Sequence, residues 1–121
     1  MKRGSYRLFL EDIIDAIGKI ENYIDGLEYG EFSANNMAKD AVMRNLEIIG
    51  EASRNVPQKV RESHGEISWS KMIGFRNIVA HKYFGVDLEI VWKIITENLP
   101  EAKPLVEKLL EQVKGEESAE K

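Results

Sequence analysis

The hydrophobic positions of this chain recur at helical spacing almost from end to end. Tyr6, Leu10, Ile13, Ile17, Ile20, Ile24 and Leu27 step by four and three, which predicts a long amphipathic helix. Ser5 is its candidate N-cap and Gly26 its candidate stop. Phe9 and Ile14 widen the stripe. Residues 30–36 read as a connection with one helical turn around Phe32. Asn36 is a candidate cap for a second helix from Met37 to about Asn55. That helix carries Ala38, Ala41, Val42, Leu46, Ile49 and Ala52 inward, with Val56 beyond it. Pro57 ends it and can begin a short helix to His64, closed by Gly65.

Ser68 can cap a third long helix that reaches the region of His81 to Tyr83. Its apolar contacts are Trp69, Met72, Ile73, Ile78 and Val79, and Gly74 allows a close neighbour. Asp87 is a good cap for the next helix, with Ile90, Val91, Ile94 and Ile95 inward and Trp92 flanking. Pro100 is expected to break or kink that helix. Pro104 suits the first turn of another, whose seam is Leu105, Val106, Leu109, Leu110 and Val113. Residues 114–121 are polar and predict a frayed tail. No strand-like alternation, internal repeat or second domain is legible. The expected fold is all-α, an antiparallel bundle of four to five helices over residues 1–113.

Composition narrows the class. A chain of 121 residues fits one domain and can bury about two-thirds of its unfolded surface. With 43% hydrophobic residues and no cysteine, it suits a globular protein in a reducing cytoplasm. Glu11, Asp12 and Asp15 interrupt the first apolar stretch, so neither a signal peptide nor a membrane span is expected. Two histidines, no cysteine and no carboxylate at ligand spacing make no metal site, and no cofactor is expected. His64 reads as a surface residue near a helix end.

The net charge of −4 has the wrong sign for holding nucleic acid by bulk attraction, so any RNA contact must be local. The middle of the chain is the exception. Between Arg54 and Lys82 the acids are only Glu62 and Glu66. A chance cluster on a solvated face explains this as well as a binding surface does.

Within that basic stretch lies Phe75-Arg76-Asn77-Ile78-Val79-Ala80-His81-Lys82-Tyr83. Its polar side chains are set in an apolar run, and a polar group buried there without a partner is costly. At about 100° per residue, Asn77 and His81 share a helix face, as do Arg76 and Tyr83. Arg76 and His81 stand about 140° apart around the axis, so a groove between packed helices suits them better than one contact point. A two-fold dimer would double the set. Arginine offers a fork of donors to phosphate oxygens, and histidine titrates near neutrality. The chemistry that suits the pair is phosphoryl transfer.

Arg76-x4-His81-x-Tyr83 resembles the signature of the HepT-like branch of the HEPN superfamily. The segment from Asp40 to Ala52, the Ile67-Ser68-Trp69 entry and the stretch from Val86-Asp87 to Val91-Trp92 resemble its other motifs. The resemblance covers roughly Tyr6 to Leu110. Ser68 stands where the pattern leads one to expect proline, which bears on a helix start rather than on chemistry.

The resemblance implies a HEPN-like homodimer acting as a metal-independent endoribonuclease toxin, with Arg76 and His81 of both copies lining one cleft. Asn77 would support His81 or the phosphate. It also implies a cognate nucleotidyltransferase antitoxin of the MNT type, and makes Tyr83 a candidate acceptor for AMP. For Tyr83, an interfacial ring with a satisfied hydroxyl fits equally well. Two other readings stay open. One is a non-catalytic dimeric partner of the nucleotidyltransferase, tied together by Arg76 and His81. The other is a nucleotide-binding accessory subunit.

Arg44, Glu47, Glu51 and Arg54 form a ladder of the kind that usually makes weak exposed ion pairs. The resemblance favours Glu47 or Glu51 facing the shared cleft. Gly50, inside the second helix, costs about 1 kcal/mol against alanine. Close helix approach and mere tolerance both account for it.

Overall fold

The computed structural model describes residues 6–80 and 87–119, and among these there is no β-strand. The first helix, α1 (Arg7–Ile24), buries Leu10, Ile13, Ile17 and Ile20, the seam expected from spacing. Its N-cap is Tyr6, and the expected cap Ser5 lies outside the described residues. Gly26 has a φ of 78°, a left-handed turn that glycine takes without strain and that reverses the chain after α1.

The connection is a full short helix, α2 (Tyr29–Ala34). Glu28 and Glu31 close a capping box at its start, and Phe32 is fully buried.

The second long helix, α3 (Asn36–Asn55), is capped by Asn35 rather than Asn36. The Asn35 carboxamide oxygen accepts from the Ala38 N–H at 3.0 Å. Val56 ends α3 ahead of Pro57. The buried face of α3 is wider than one stripe, taking in Met43, Asn45 and Ser53, while Ala41 is only partly covered. The cause is tertiary: α1 packs against α3, and so do the two helices that carry the Arg76 segment. Asn45 meets its burial by donating to the Ala41 carbonyl at 2.9 Å.

Helix α4 (Gln58–Ser63) is a single short helix ending at His64. Arg61 folds back and donates from Nε to the Val56 carbonyl at 3.0 Å, satisfying an end of α3. The third long helix is in fact two, α5 (Trp69–Ile73) and α6 (Phe75–Ala80), meeting at Gly74. Ser68 holds the N-cap position of α5 but makes no side-chain cap bond.

Asp87 caps α7 (Leu88–Lys93), accepting from the Glu89 N–H at 2.9 Å. Val91, Ile94 and Ile95 are buried as expected, but Ile90 is 52% exposed. The short α2 packs on α7. Trp92 joins the two, its ring 5.2 Å from Phe32 and 6.1 Å from Tyr29.

Pro100 does not break the rod. A π turn over Ile94–Asn98 comes first, and α8 (Leu99–Ala119) continues through both prolines. An α-helix would set the Thr96 carbonyl against the Pro100 ring. The wider turn comes where that clash would fall. Pro104 therefore lies inside α8 rather than in its first turn. Burial of Val106, Leu109, Leu110 and Val113 carries the helix onward. The stretch after Val113 is helical through Ala119, where the composition predicts fraying.

Two cross-helix ion pairs fix how α8 lies on α1. Arg7 Nη1 meets Glu117 Oε1 at 2.7 Å, and Lys103 Nζ meets Glu21 Oε1 at 2.8 Å. The start of one helix meets the end of the other, so the two are antiparallel. The described residues thus form a helical bundle of long rods, with α3 between α1 and the α5–α6 pair.

Candidate functional site around Arg76

The site begins with Gly74. Its N–H donates to the Ser70 carbonyl at 3.0 Å, and its own carbonyl accepts from the Asn77 N–H at 3.0 Å. A β-carbon here would stand 3.3 Å from the carbonyl oxygens of Lys71 and Ser70. Glycine lets α6 start directly on the end of α5.

Trp69, Met72, Phe75 and Val79 are then buried and clamp the pair to the core. The indole Nε1 of Trp69 donates to the His64 carbonyl at 3.0 Å. With Phe75 and Val79 turned inward and Ile78 partly covered by the core, Arg76 and Asn77 turn out. Arg76 and Asn77 are both exposed, so these two polar groups are met by solvent and by neighbours rather than buried.

Arg76 lies across α3. Its Cγ and backbone nitrogen would stand 2.7 and 3.2 Å from a β-carbon on Gly50, and the Met72 carbonyl oxygen 3.2 Å. Close helix approach is therefore the reason for glycine at position 50. Beyond this contact, Arg76 Nη1 pairs with Glu51 Oε1 at 3.3 Å, with the two side chains 43% and 47% exposed. The other carboxylate oxygen of Glu51 faces Arg54 Nη2 at 3.7 Å and Asn55 Nδ2 at 3.4 Å. Arg44 and Glu47 pair at 3.7 Å one turn earlier.

Arg44, Glu47, Glu51, Asn55 and Arg76 line an open cleft of about 390 Å³ whose other walls include Phe9 and Asp12 of α1. Its lining holds three acids, Asp12, Glu47 and Glu51, and two arginines, Arg44 and Arg76, so the cleft is not cationic. One guanidinium nitrogen of Arg76 is turned to Glu51, and the half-exposed side chain leaves donors open to solvent.

The structure brings Arg76 together with both acids of the α3 ladder, Glu47 and Glu51. His81 and Tyr83, the other two members of the motif, lie outside the described residues. Asn77 is on the exposed side of α6 and does not line the cleft. Sequence reasoning missed Phe9 and Asp12 as cleft residues. Nothing local to α1 marks them, since helix packing alone brings them opposite α3. His64 sits at a helix end as expected, with Nδ1 3.8 Å from Glu66. Among the described residues, no three His, Cys, Asp or Glu side chains are grouped to hold a metal ion. No helix among them is long and apolar enough to cross a membrane.

The family model described as "Ribonuclease HepT-like" matches residues 13–109, a span that holds the α3 face of this cleft and the whole Arg76 motif. The chain belongs to the HepT-like ribonuclease family. A Methanocaldococcus jannaschii protein named as a putative RNase is 41% identical over 107 residues, which is 88% of this chain and 98% of that one. A Thermococcus cleftensis protein named as a probable ribonuclease HepT is 42% identical over 109 residues, covering 90% and 98% of the two chains. A Caldanaerobacter subterraneus protein, also named as a putative RNase, is 33% identical over 108 residues, covering 89% and 96%. No solved structure matches the chain significantly.

Proposed function

We propose that this HepT-like protein is an endoribonuclease that cuts RNA without metal assistance, at a composite site made by two copies of the Arg76–His81–Tyr83 motif across a homodimer. The observation that carries it is the pose of Arg76, half exposed at the rim of a cleft with its stem held against α3. Its stem is packed, and its guanidinium keeps N–H donors at the surface for a further anion.

His81 of one copy takes the proton from a ribose 2′-hydroxyl. The 2′-oxygen attacks the adjacent phosphorus, and the bond to the 5′-oxygen breaks. Arg76 stabilises the extra negative charge on the phosphorane-like state. The His81 of the second copy gives a proton to the departing 5′-oxygen, because one imidazole cannot serve both ends at once. The products are a 2′,3′-cyclic phosphate and a 5′-hydroxyl. Asn77 supports His81 from one turn away. The chain carries three acids to two arginines at the cleft. Two converging Arg76 guanidiniums and protonatable His81 rings would give the shared site the positive charge that one protomer lacks.

The same reading makes the protein the toxin of a HEPN/MNT toxin–antitoxin pair acting in the cytoplasm. Its partner is an MNT-type nucleotidyltransferase, and Tyr83 is the acceptor for AMP. A phosphate beside Arg76 would occupy its donors and silence cleavage.

One observation favours a second reading. Arg76 already has an acidic partner in Glu51, as a purely structural arginine would. On that reading the chain is a non-catalytic helical partner or nucleotide-binding subunit of the nucleotidyltransferase. The separating experiment uses purified protein in EDTA, on RNA and on RNA methylated at every 2′-oxygen. Cutting of the first alone, with cyclic phosphate ends and loss in His81→Ala, supports the ribonuclease. Equal absence of cutting by wild type and His81→Ala supports the binding role.

A further inference from the structure

We infer that Gly50 and Glu51 of α3 are positioning residues for Arg76, a slot and a tether that aim its guanidinium at the scissile phosphate. The inference deepens the proposed cleavage and rests on it.

Three observations converge on two consecutive residues. A β-carbon at position 50 would fall 2.7 Å from Arg76 Cγ, closer than real β-carbon contacts come. It would also fall 3.2 Å from the Arg76 backbone nitrogen and the Met72 carbonyl oxygen, so the helix carrying Arg76 would have to shift as well. The next residue, Glu51, holds the far end of the same side chain by a 3.3 Å ion pair.

An arginine on a surface helix has several free torsions, and here both ends of that freedom are restrained by α3. Glu51 is itself steadied, since Arg54 and Asn55 approach its second oxygen at 3.7 and 3.4 Å. The pair orients the guanidinium without using it up, because among the described residues Nη1 alone is engaged and arginine has five N–H donors. Orientation of this kind acts on the transition state, and a misplacement of about 1 Å costs about 10²-fold in rate.

The test compares kcat and KM for RNA cleavage by wild type, Gly50→Ala, Glu51→Ala and Glu51→Gln. Arg76→Ala and His81→Ala are run beside them, and each variant's fold is checked by circular dichroism and molar mass. We expect Gly50→Ala and Glu51→Ala to lose about 10²-fold in kcat with KM within about twofold of wild type, the signature of a misaimed rather than an absent group. Glu51→Gln keeps an acceptor at the same reach and should recover most of the loss. Where Gly50→Ala does not fold, the two Glu51 variants carry the test, since Glu51 is half exposed.

A folded Gly50→Ala or Glu51→Ala with wild-type kcat, or a loss confined to KM, overturns the inference. If those two stay active while Arg76→Ala and His81→Ala are dead, the inference fails alone. If Arg76→Ala and His81→Ala cut as well as wild type, or wild type does not cut, the proposed site fails and takes the inference with it.

Discussion

Gly50 supports the stem of Arg76 from the next helix, so closely that one added methyl would stand 2.7 Å from Arg76 Cγ. The stability consequence is separable from any catalytic one. Alanine normally improves a helix by about 0.5–1 kcal/mol over glycine. At position 50 the overlap with side chain and backbone outweighs that gain. Gly50→Ala is expected to lose about 1–3 kcal/mol, the usual cost of overpacking. Gly18 is the control: it lies inside α1, and a β-carbon there would meet nothing within 4 Å. Gly18→Ala is expected to stabilise the protein by about 0.5–1 kcal/mol. Urea unfolding of both variants checks the pair of signs.

Phe75 sits beside Arg76 in sequence but is 1% exposed. It anchors the helix from which Arg76 projects. Phe75→Ala is expected to cost about 3–5 kcal/mol, by lost burial plus a residual cavity. Removing the exposed Asn77 side chain should cost less than about 0.5 kcal/mol. Parallel denaturation curves read the contrast directly.

The Lys103–Glu21 pair gives the bundle a pH signature at its alkaline end. Lys103 has its pKa raised above 10.5, chiefly by the hydrogen bond to Glu21. A raised amine pKa gives a contribution fully present below the unfolded value and lost as pH rises through the folded one. The pair is partly exposed, so the contribution is at most about 1 kcal/mol. Lys103→Gln should be less stable than wild type at about pH 8, and the difference should shrink once pH rises above the ordinary lysine value of about 10.4. Equal differences on both sides of that value would remove the ion pair from the account.

The long seams were readable because one face of α1 meets one set of neighbours, so spacing and burial coincide at Leu10, Ile13, Ile17 and Ile20. The cap at Asp87 was readable for a similar reason, since its bond to the Glu89 N–H is local. Where two adjacent asparagines could each cap α3, the pattern pointed to Asn36 and the chain uses Asn35. Proline misled at 100 and 104 because a local rule was opposed by burial along α8 and by a π turn. The Arg76 motif stood out in the sequence by its polar groups set in an apolar run. Its surroundings did not, because Phe9 and Asp12 reach the cleft only through packing of α1 on α3. Gly50 was ambiguous for the same reason, its partner being on another helix.

Loss of the Arg76 fork should be felt in the chemical step. Arg76→Ala is expected to lower single-turnover cleavage by about 10²–10³-fold, the range for removing a donor to developing negative charge. Arg76→Lys should recover part of this, since it keeps the charge but not the fork. Single-turnover rates at saturating protein separate this from weakened RNA binding.

The central claim is that two chains build one cutting site, and it is tested by mixing wild-type and His81→Ala subunits under conditions that allow exchange. Cleavage is then measured against the fraction of wild-type chains. On that claim both imidazoles act in one reaction, so a half-and-half mixture should keep about a quarter of the activity, the share of dimers with two intact copies. If the mixture keeps half, each chain is cutting by itself and the shared site is wrong.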